Sequence, residues 1–231
     1  MLTLENLTLE QKDFCLTADW SAAPGERIAV IGPSGAGKST LLAAIGGYFA
    51  PKAGQISWQG QDLAPLPPGA RPVSFLFQDQ NLFAHLSLAQ NLGLGLSLNL
   101  RLDPSQAALV EAALVRVGLA GLGARRPAQL SGGQQGRAAL ARALLRAKPI
   151  LLLDEPFAAL GPALKVEMLD MVAEVAQETG ALVLMVTHDP QDALRFATRT
   201  ILVADGVAHP PMATTALFAA PPAALQAYLG G

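Results

Sequence analysis

The run Gly32-Pro33-Ser34-Gly35-Ala36-Gly37-Lys38-Ser39 constrains this chain more than any other stretch. It fits the pattern G-x-x-x-x-G-K-[ST] and lies between an apolar run, Ile28 to Ile31, and a helix-forming run that begins near Ser39. Glycines are needed there because a side chain keeps the backbone from wrapping a row of phosphates. The N–H groups turned inward, with the N-terminus of the next helix behind them, offer partial positive charge to phosphate oxygens. In this pattern Lys38 reaches the β- and γ-phosphates and Ser39 holds Mg²⁺. The stretch predicts a strand, a phosphate-binding loop and a helix in an α/β domain that binds a nucleoside triphosphate.

Composition narrows the setting. The 231 residues, 51% of them hydrophobic, suffice for one nucleotide-binding unit with a large core. A formal charge of −2 and no run of Lys and Arg argue against nucleic acid as a sequence-independent partner. Cys15 is the single cysteine, so an internal disulfide and a cysteine metal cluster are both excluded, and a reducing compartment fits. Met1 to Glu10 alternates leucines with polar residues, unlike a signal peptide. No apolar run approaches the roughly 18 residues of a membrane span. The chain is therefore expected to be soluble in isolation.

Leu2, Leu4, Leu7 and Leu9, then Phe14, Leu16, Ala18 and Trp20, predict two strands joined by a hairpin around Glu10 to Asp13. Arg27 to Ile31 reads as a buried central strand of a parallel sheet. Ile56, Trp58 and the turn at Gly60 predict a short strand pair, Pro65 to Pro72 a surface loop, and Val73 to Phe77 another strand, with Gln78 just beyond it. From Asp79 to Gln129 the period turns helical. Asp103-Pro104-Ser105 signals a helix start, and Ala107, Val110, Ala113, Leu114 and Val117 share its apolar face.

A second anion-binding turn follows. Leu130-Ser131-Gly132-Gly133-Gln134 leads into a helix-forming run, with Ser131 as cap and two glycines opening backbone N–H groups. Ile150 to Asp154 is then a buried strand that delivers two carboxylates, Asp154 toward Mg²⁺ and Glu155 toward an attacking water. His188 ends a further apolar strand, Ala181 to Thr187, and its imidazole is placed to donate to a γ-phosphate; His85 and His209 read as ordinary surface or core residues.

These elements, in this order, resemble the ATP-binding subunit of ABC transporters over almost the whole chain. By that resemblance Gly32 to Thr40 is the Walker A motif, Gln78 the Q-loop residue and Leu130 to Gln134 the signature. Ile150 to Asp154 is Walker B, Glu155 the catalytic glutamate and His188 the switch histidine. The resemblance implies one domain over 1–231: an α/β P-loop ATPase core with an N-terminal antiparallel β subdomain (1–78 and 148–231) and an all-helical insert (79–147) that includes the signature. It implies ATP and Mg²⁺ as cofactors, with Ser39, Gln78 and Asp154 on the metal side, Asp154 through water. It also implies a head-to-tail dimer in which Ser131, Gly132, Gly133 and Gln134 cover ATP bound to the other copy. Membrane permease subunits, and indirectly a periplasmic binding protein, are the further partners, with nucleic acid none. The place implied is peripheral, on the cytoplasmic face of the bacterial inner membrane.

Departures from the family pattern stand at Gln11, where many members carry an adenine-stacking aromatic and Phe14 is the nearest one here. A second lies at Ala158-Ala159-Leu160-Gly161, where the D-loop usually ends in aspartate. Gly136, in the first turn of the signature helix, costs about 1 kcal/mol relative to alanine. Leu82, Phe83, Leu86 and Leu88 lie where the family forms a groove for a permease helix, with core packing as the alternative. Two rival readings fit less well. A small-molecule kinase has no use for the second anion turn, and a DNA-repair ABC ATPase separates its halves with long coiled coils. The runs Arg71 to Gln78, Asn81 to Ser87, Ala89 to Leu96, Ala197 to Thr200 and Val203 to Gly206 resemble the ATPase subunits of bacterial thiamine importers. Import of thiamine or its phosphates is the substrate this implies, with ferric iron or a polyamine as alternatives.

Overall fold

The computed structural model describes residues 1–12 and 14–229. Strand β1 (Leu2–Gln11) pairs antiparallel with β2 (Phe14–Ala22), and its other edge pairs with β4 (Ala53–Trp58), which carries the short β5 (Gln61–Asp62). Leu2, Leu4, Leu7 and Leu9 are all buried, although the step from Leu4 to Leu7 breaks a period of two. A bulge between them restores the pattern, with Asn6 in the left-handed region at φ 46°. The centre of the expected hairpin, Asp13, lies outside the described residues.

Five strands form the parallel part: β3 (Arg27–Ile31), β6 (Val73–Leu76), β7 (Ile150–Asp154), β8 (Leu182–Val186) and β9 (Arg199–Ala204). Two short strands, β10 (Val207–Ala208) and β11 (Met212–Ala213), pair with β9, and β10 also joins β2. Among the described residues the sheet runs β5-β4-β1-β2-β10-β9-β3-β8-β7-β6. Since β9, β3, β8, β7 and β6 are mutually parallel, their C-terminal ends lie along one edge. The loops after Ile31, Leu76, Asp154 and Val186 all leave from that edge.

The parallel strands are apolar on both faces, as buried strands must be. Ile28, Val30, Ile150, Leu152, Leu182 and Leu184 join one core with the N-terminal strands and helix α1 (Lys38–Gly46). Ala29, Ile31, Leu151, Leu153, Val183 and Met185 join the other. That second core is covered by α2 (Leu88–Gly93), α3 (Pro104–Arg116), α4 (Gly132–Leu145), α5 (Pro162–Thr179) and α6 (Pro190–Phe196). Helices α7 (Thr214–Ala219) and α8 (Ala223–Leu229) close the same face through Leu217 and Leu225, both buried. No helix among the described residues is long and apolar enough to cross a membrane.

Local signals fix several helix ends. Asp103 caps α3 by accepting from the Gln106 N–H at 2.9 Å, and Gln106 returns a bond to the Asp103 N–H, with Pro104 opening the first turn. Val110, Leu114 and Val117 are buried as expected, but Ala107 is exposed, because it lies one turn N-terminal to where α3 meets the core. The expected strand Ala181 to Thr187 is one residue shorter at each end.

The P-loop helix α1 ends on a buried charge. Arg71 Nη1 donates to the carbonyls of Ala44 and Ile45, both at 2.8 Å, and its Nε donates to Leu66 O at 3.1 Å. The guanidinium thus takes the Ile45 carbonyl and adds a second bond to that of Ala44, which the Gly47 N–H already reaches at 3.1 Å, and its charge complements the helix dipole there. We expect Arg71→Ala to lower the unfolding free energy by about 2–4 kcal/mol, because the charged hydrogen bonds to Ala44, Ile45 and Leu66 are lost and the space is left unfilled. Arg71→Lys restores only part, since an ammonium lacks the planar fork. Urea denaturation measures both, and a loss under about 0.5 kcal/mol for Arg71→Ala, the range of ordinary surface changes, would contradict this role.

Candidate functional site

The loop from Gly32 to Thr40 leaves β3 between β8 and β9 and turns into α1. Gly32 has φ 148°, and a Cβ there would lie 2.0 Å from the Val203 carbonyl oxygen, so the turn has no room for any side chain. Gly37, the cap of α1, has φ 101°, and a Cβ on it would meet the Phe14 ring at 2.4 Å. Phe14, rather than Gln11, is therefore the aromatic that leans on the loop. Pro33, Ser34 and Gly35 are exposed, Ala36 and Thr40 half-buried, and no acidic residue occupies the first turn of α1. The helix's own first turn therefore brings no negative charge to an anion at this start, and the carboxylates nearby come from the end of β7.

Lys38 is buried, and its Nζ donates to the carbonyls of Gly32 at 2.7 Å and Pro33 at 2.8 Å. Burial holds its ammonium below the usual lysine range, against the pull of Glu155 and Asp154. Ser39 Oγ donates to Asp154 Oδ1 at 3.1 Å, which joins the loop to the end of β7 across 115 positions. Burial pushes the Asp154 carboxyl up, and Glu155 adds to that, while the Ser39 hydrogen bond and Lys38 oppose it. Glu155 follows in the left-handed region at φ 46°, rare for a residue with a Cβ, and its N–H donates to Val186 O at 3.2 Å. His188 Nδ1 stands 3.6 Å from Glu155 Oε2.

Gln78 is exposed beyond β6, and it lines one cavity with Glu155, Gly132 and Gly133. In the signature turn Ser131 Oγ accepts from the Gln134 N–H at 3.3 Å, and Gln134 Oε1 accepts from the Ser131 N–H at 2.9 Å. This reciprocal cap opens α4 and leaves Ser131 and Gly132 exposed. No hydrogen bond among the described residues joins this turn to the Gly32–Thr40 loop. The structure thus gathers Lys38, Ser39, Asp154, Glu155 and His188 at one edge, with Gln78 beside Glu155, and holds the second anion turn apart from the first.

Residues 16–158, more than half of the chain, match the sequence model of the family described as ABC transporter. The chain belongs to this family. It is similar to the thiamine import ATP-binding protein ThiQ of Cereibacter sphaeroides, 70% identical over 230 residues that cover 100% of each. It is also similar to ThiQ of a Ruegeria species, 56% identical with the same coverage, and of Yersinia pseudotuberculosis, 51% identical over 89% of this chain and 87% of that one. Among solved structures it superposes with TM-score 0.83 and 29% identity on a dimeric ATP-binding cassette in a post-hydrolysis state with ADP and phosphate. That match covers 93% of this chain and 99% of the other.

Several contacts of this ABC domain carry no local sequence signal. Arg142 on α4 donates to the carbonyls of Gln80 at 3.1 Å and Asn81 at 2.9 Å, which ties the signature helix to the segment after Gln78. Gly136 is buried where a Cβ would lie 3.3 Å from Gln80 Nε2, so its cost in helix propensity permits that close approach. Lys165 on α5 bridges Asp189 at 2.5 Å and Asp192 at 2.9 Å, joining the helix after Gly161 to the segment after His188. Gly161 caps α5 without a side-chain bond and with open space around it. Asn91, fully buried, holds Phe83, Leu86 and Ser87 by their backbones.

No group of three or more His, Cys, Asp or Glu among the described residues is arranged to hold a metal by itself. The donors present, the Ser39 hydroxyl and the Asp154 carboxylate, are hard oxygens that suit Mg²⁺, which keeps waters and phosphate oxygens as its other ligands.

Asp154 also sets a stability prediction. Its carboxyl is raised in the folded state, so the unfolded chain ionises first and stability falls as pH rises from the ordinary carboxylate range through the raised value. Asn keeps the acceptor for Ser39 without the buried charge. We expect Asp154→Asn to raise the thermal midpoint of the nucleotide-free chain at pH 7, by a margin that shrinks as pH is lowered. A lower midpoint at pH 7 would mean that the Ser39 and Lys38 contacts outweigh burial.

Proposed function

We propose that this chain is the ATP-hydrolysing subunit of an ABC importer that takes up thiamine or its phosphates through a separate permease. The observation that carries the ATPase reading is the single sheet edge where Lys38, Ser39, Asp154, Glu155 and His188 meet. The whole-length identity to thiamine import proteins carries the choice of solute.

In this reading Gly32 to Thr40 wraps the triphosphate and Lys38 exchanges the carbonyls of Gly32 and Pro33 for phosphate oxygens. Ser39 and Gln78, with Asp154 through water, would hold Mg²⁺, which would neutralise phosphate charge. Glu155 polarises the attacking water and His188 donates to the γ-phosphate. The exposed turn Ser131 to Gln134 acts on ATP held by a second copy in a head-to-tail dimer. Closure of that dimer drives the permease, and hydrolysis resets it. The chain sits peripherally on the cytoplasmic face of the inner membrane, with a periplasmic binding protein supplying solute on the other side. Residues 79–147 form a helical unit against a core of 1–78 and 148–231. Phe83, 49% exposed, faces the permease, whereas Leu88, fully buried, serves the core.

Glu155→Gln tests this directly. The purified variant should bind ATP, accumulate a closed dimer in sizing chromatography, and hydrolyse ATP about 10²-fold or more slowly, as loss of a general base does. Introduced into the chromosome of a strain with no second thiamine transporter, it should abolish high-affinity uptake of labelled thiamine. Normal turnover would sink the catalytic assignment; lost turnover with unchanged thiamine uptake would sink the solute.

A further inference from the structure

The segment after β8 is held by side chains more than by the sheet. Thr187 Oγ1 donates to Asp192 Oδ2 at 2.9 Å and accepts from the Asp189 N–H at 3.1 Å, while the Asp189 carboxylate accepts from Lys165 and from the Gln191 N–H. His188 lies between these anchors. Its imidazole is 63% exposed, with Glu155 3.6 Å away, so packing alone does not fix where it points. The remaining hold on His188 comes from forty positions downstream, where Tyr228 Oη donates to the His188 carbonyl oxygen at 2.6 Å.

The donor is well placed for this. Tyr228 belongs to α8, whose Leu225 is fully buried, and its own ring is half-buried against the same core. Burial, with Glu155 and Asp189 nearby, raises the phenol above its usual range, so the hydroxyl keeps its proton at neutral pH. A short bond from an anchored ring fixes the height of the His188 backbone over Glu155.

We propose that Tyr228 is a positioning residue for His188: the C-terminal helix α8 straps the switch segment and sets the imidazole against Glu155 for ATP hydrolysis. This rests on the ATPase reading above. The P-loop itself makes no contact with Tyr228 among the hydrogen bonds described, so the strap acts on the step at the γ-phosphate and leaves nucleotide binding to Gly32–Thr40.

Tyr228→Phe keeps the ring and removes only the hydroxyl. With the full-length chain we expect kcat for ATP to fall about five-fold, the rate equivalent of one neutral hydrogen bond, and KM to stay within about two-fold. Amide exchange at His188 and Asp189 should quicken, while the thermal midpoint and exchange in β3 and α1 stay as in the wild type. An unchanged kcat overturns the proposal. So does a fall in kcat accompanied by a matching rise in KM or a lowered thermal midpoint, which marks α8 as a structural brace alone. A wild-type chain without ATPase activity would instead overturn the ATPase reading, so the two failures are distinct.

Discussion

The parallel pairing of β3 between β8 and β9 is the constraint on which the rest depends. It places the loop after Ile31, the pair Asp154-Glu155 and the segment around His188 on one edge, and no side-chain contact could recover that edge if a strand ran the other way. The register is equally decisive. Asp154 lies beside Val186 and Val186 beside Val30, so the three loops start level with one another. A slip of one residue would turn Asp154 to the opposite face of the sheet.

The site is built at some cost to the nucleotide-free fold. Lys38 and Asp154 are both buried, Asp154 is next to a second carboxylate, and Glu155 sits in a backbone region that its side chain disfavours. Each of these lowers the stability of the empty chain. Binding energy offsets an arrangement that folding alone would not select. The contacts of Arg142 with the Gln80 segment and of Lys165 with Asp189 tie the loops at this edge to the long helices α4 and α5.

Much of this was legible in the sequence because the signals are local. The apolar runs at Ile28 to Ile31 and Ile150 to Asp154, the Asp103-Pro104 helix start and the Ser131 cap each act within a few residues, and each takes the expected form. Family membership rested on motif order and is shown by the sequence comparisons. Less legible were features set by partners far along the chain. The proline-rich stretch after Ala208 hides two short helices whose stability comes from docking Leu217 and Leu225, not from propensity. Arg71 reads as one more polar residue in a loop until α1 ends above it, and Gly136 as a weak helix residue until Gln80 approaches. The bulge at Asn6 is not read from the sequence, because the pairing with both β2 and β4 is what fixes it.

The central claim is that one chain carries two anion turns that complete a site only across two copies. Mixing subunits tests it most directly. Lys38→Ala spoils the loop of one copy and Ser131→Arg spoils the turn of the other, so a mixed dimer retains one intact composite site. Each variant alone should be inactive in ATP hydrolysis, and an equimolar mixture should regain about a quarter of the wild-type rate, from half of the dimers with one of two sites intact. A Ser131→Arg chain that hydrolyses ATP normally by itself, or a mixture no more active than its components, would contradict the account.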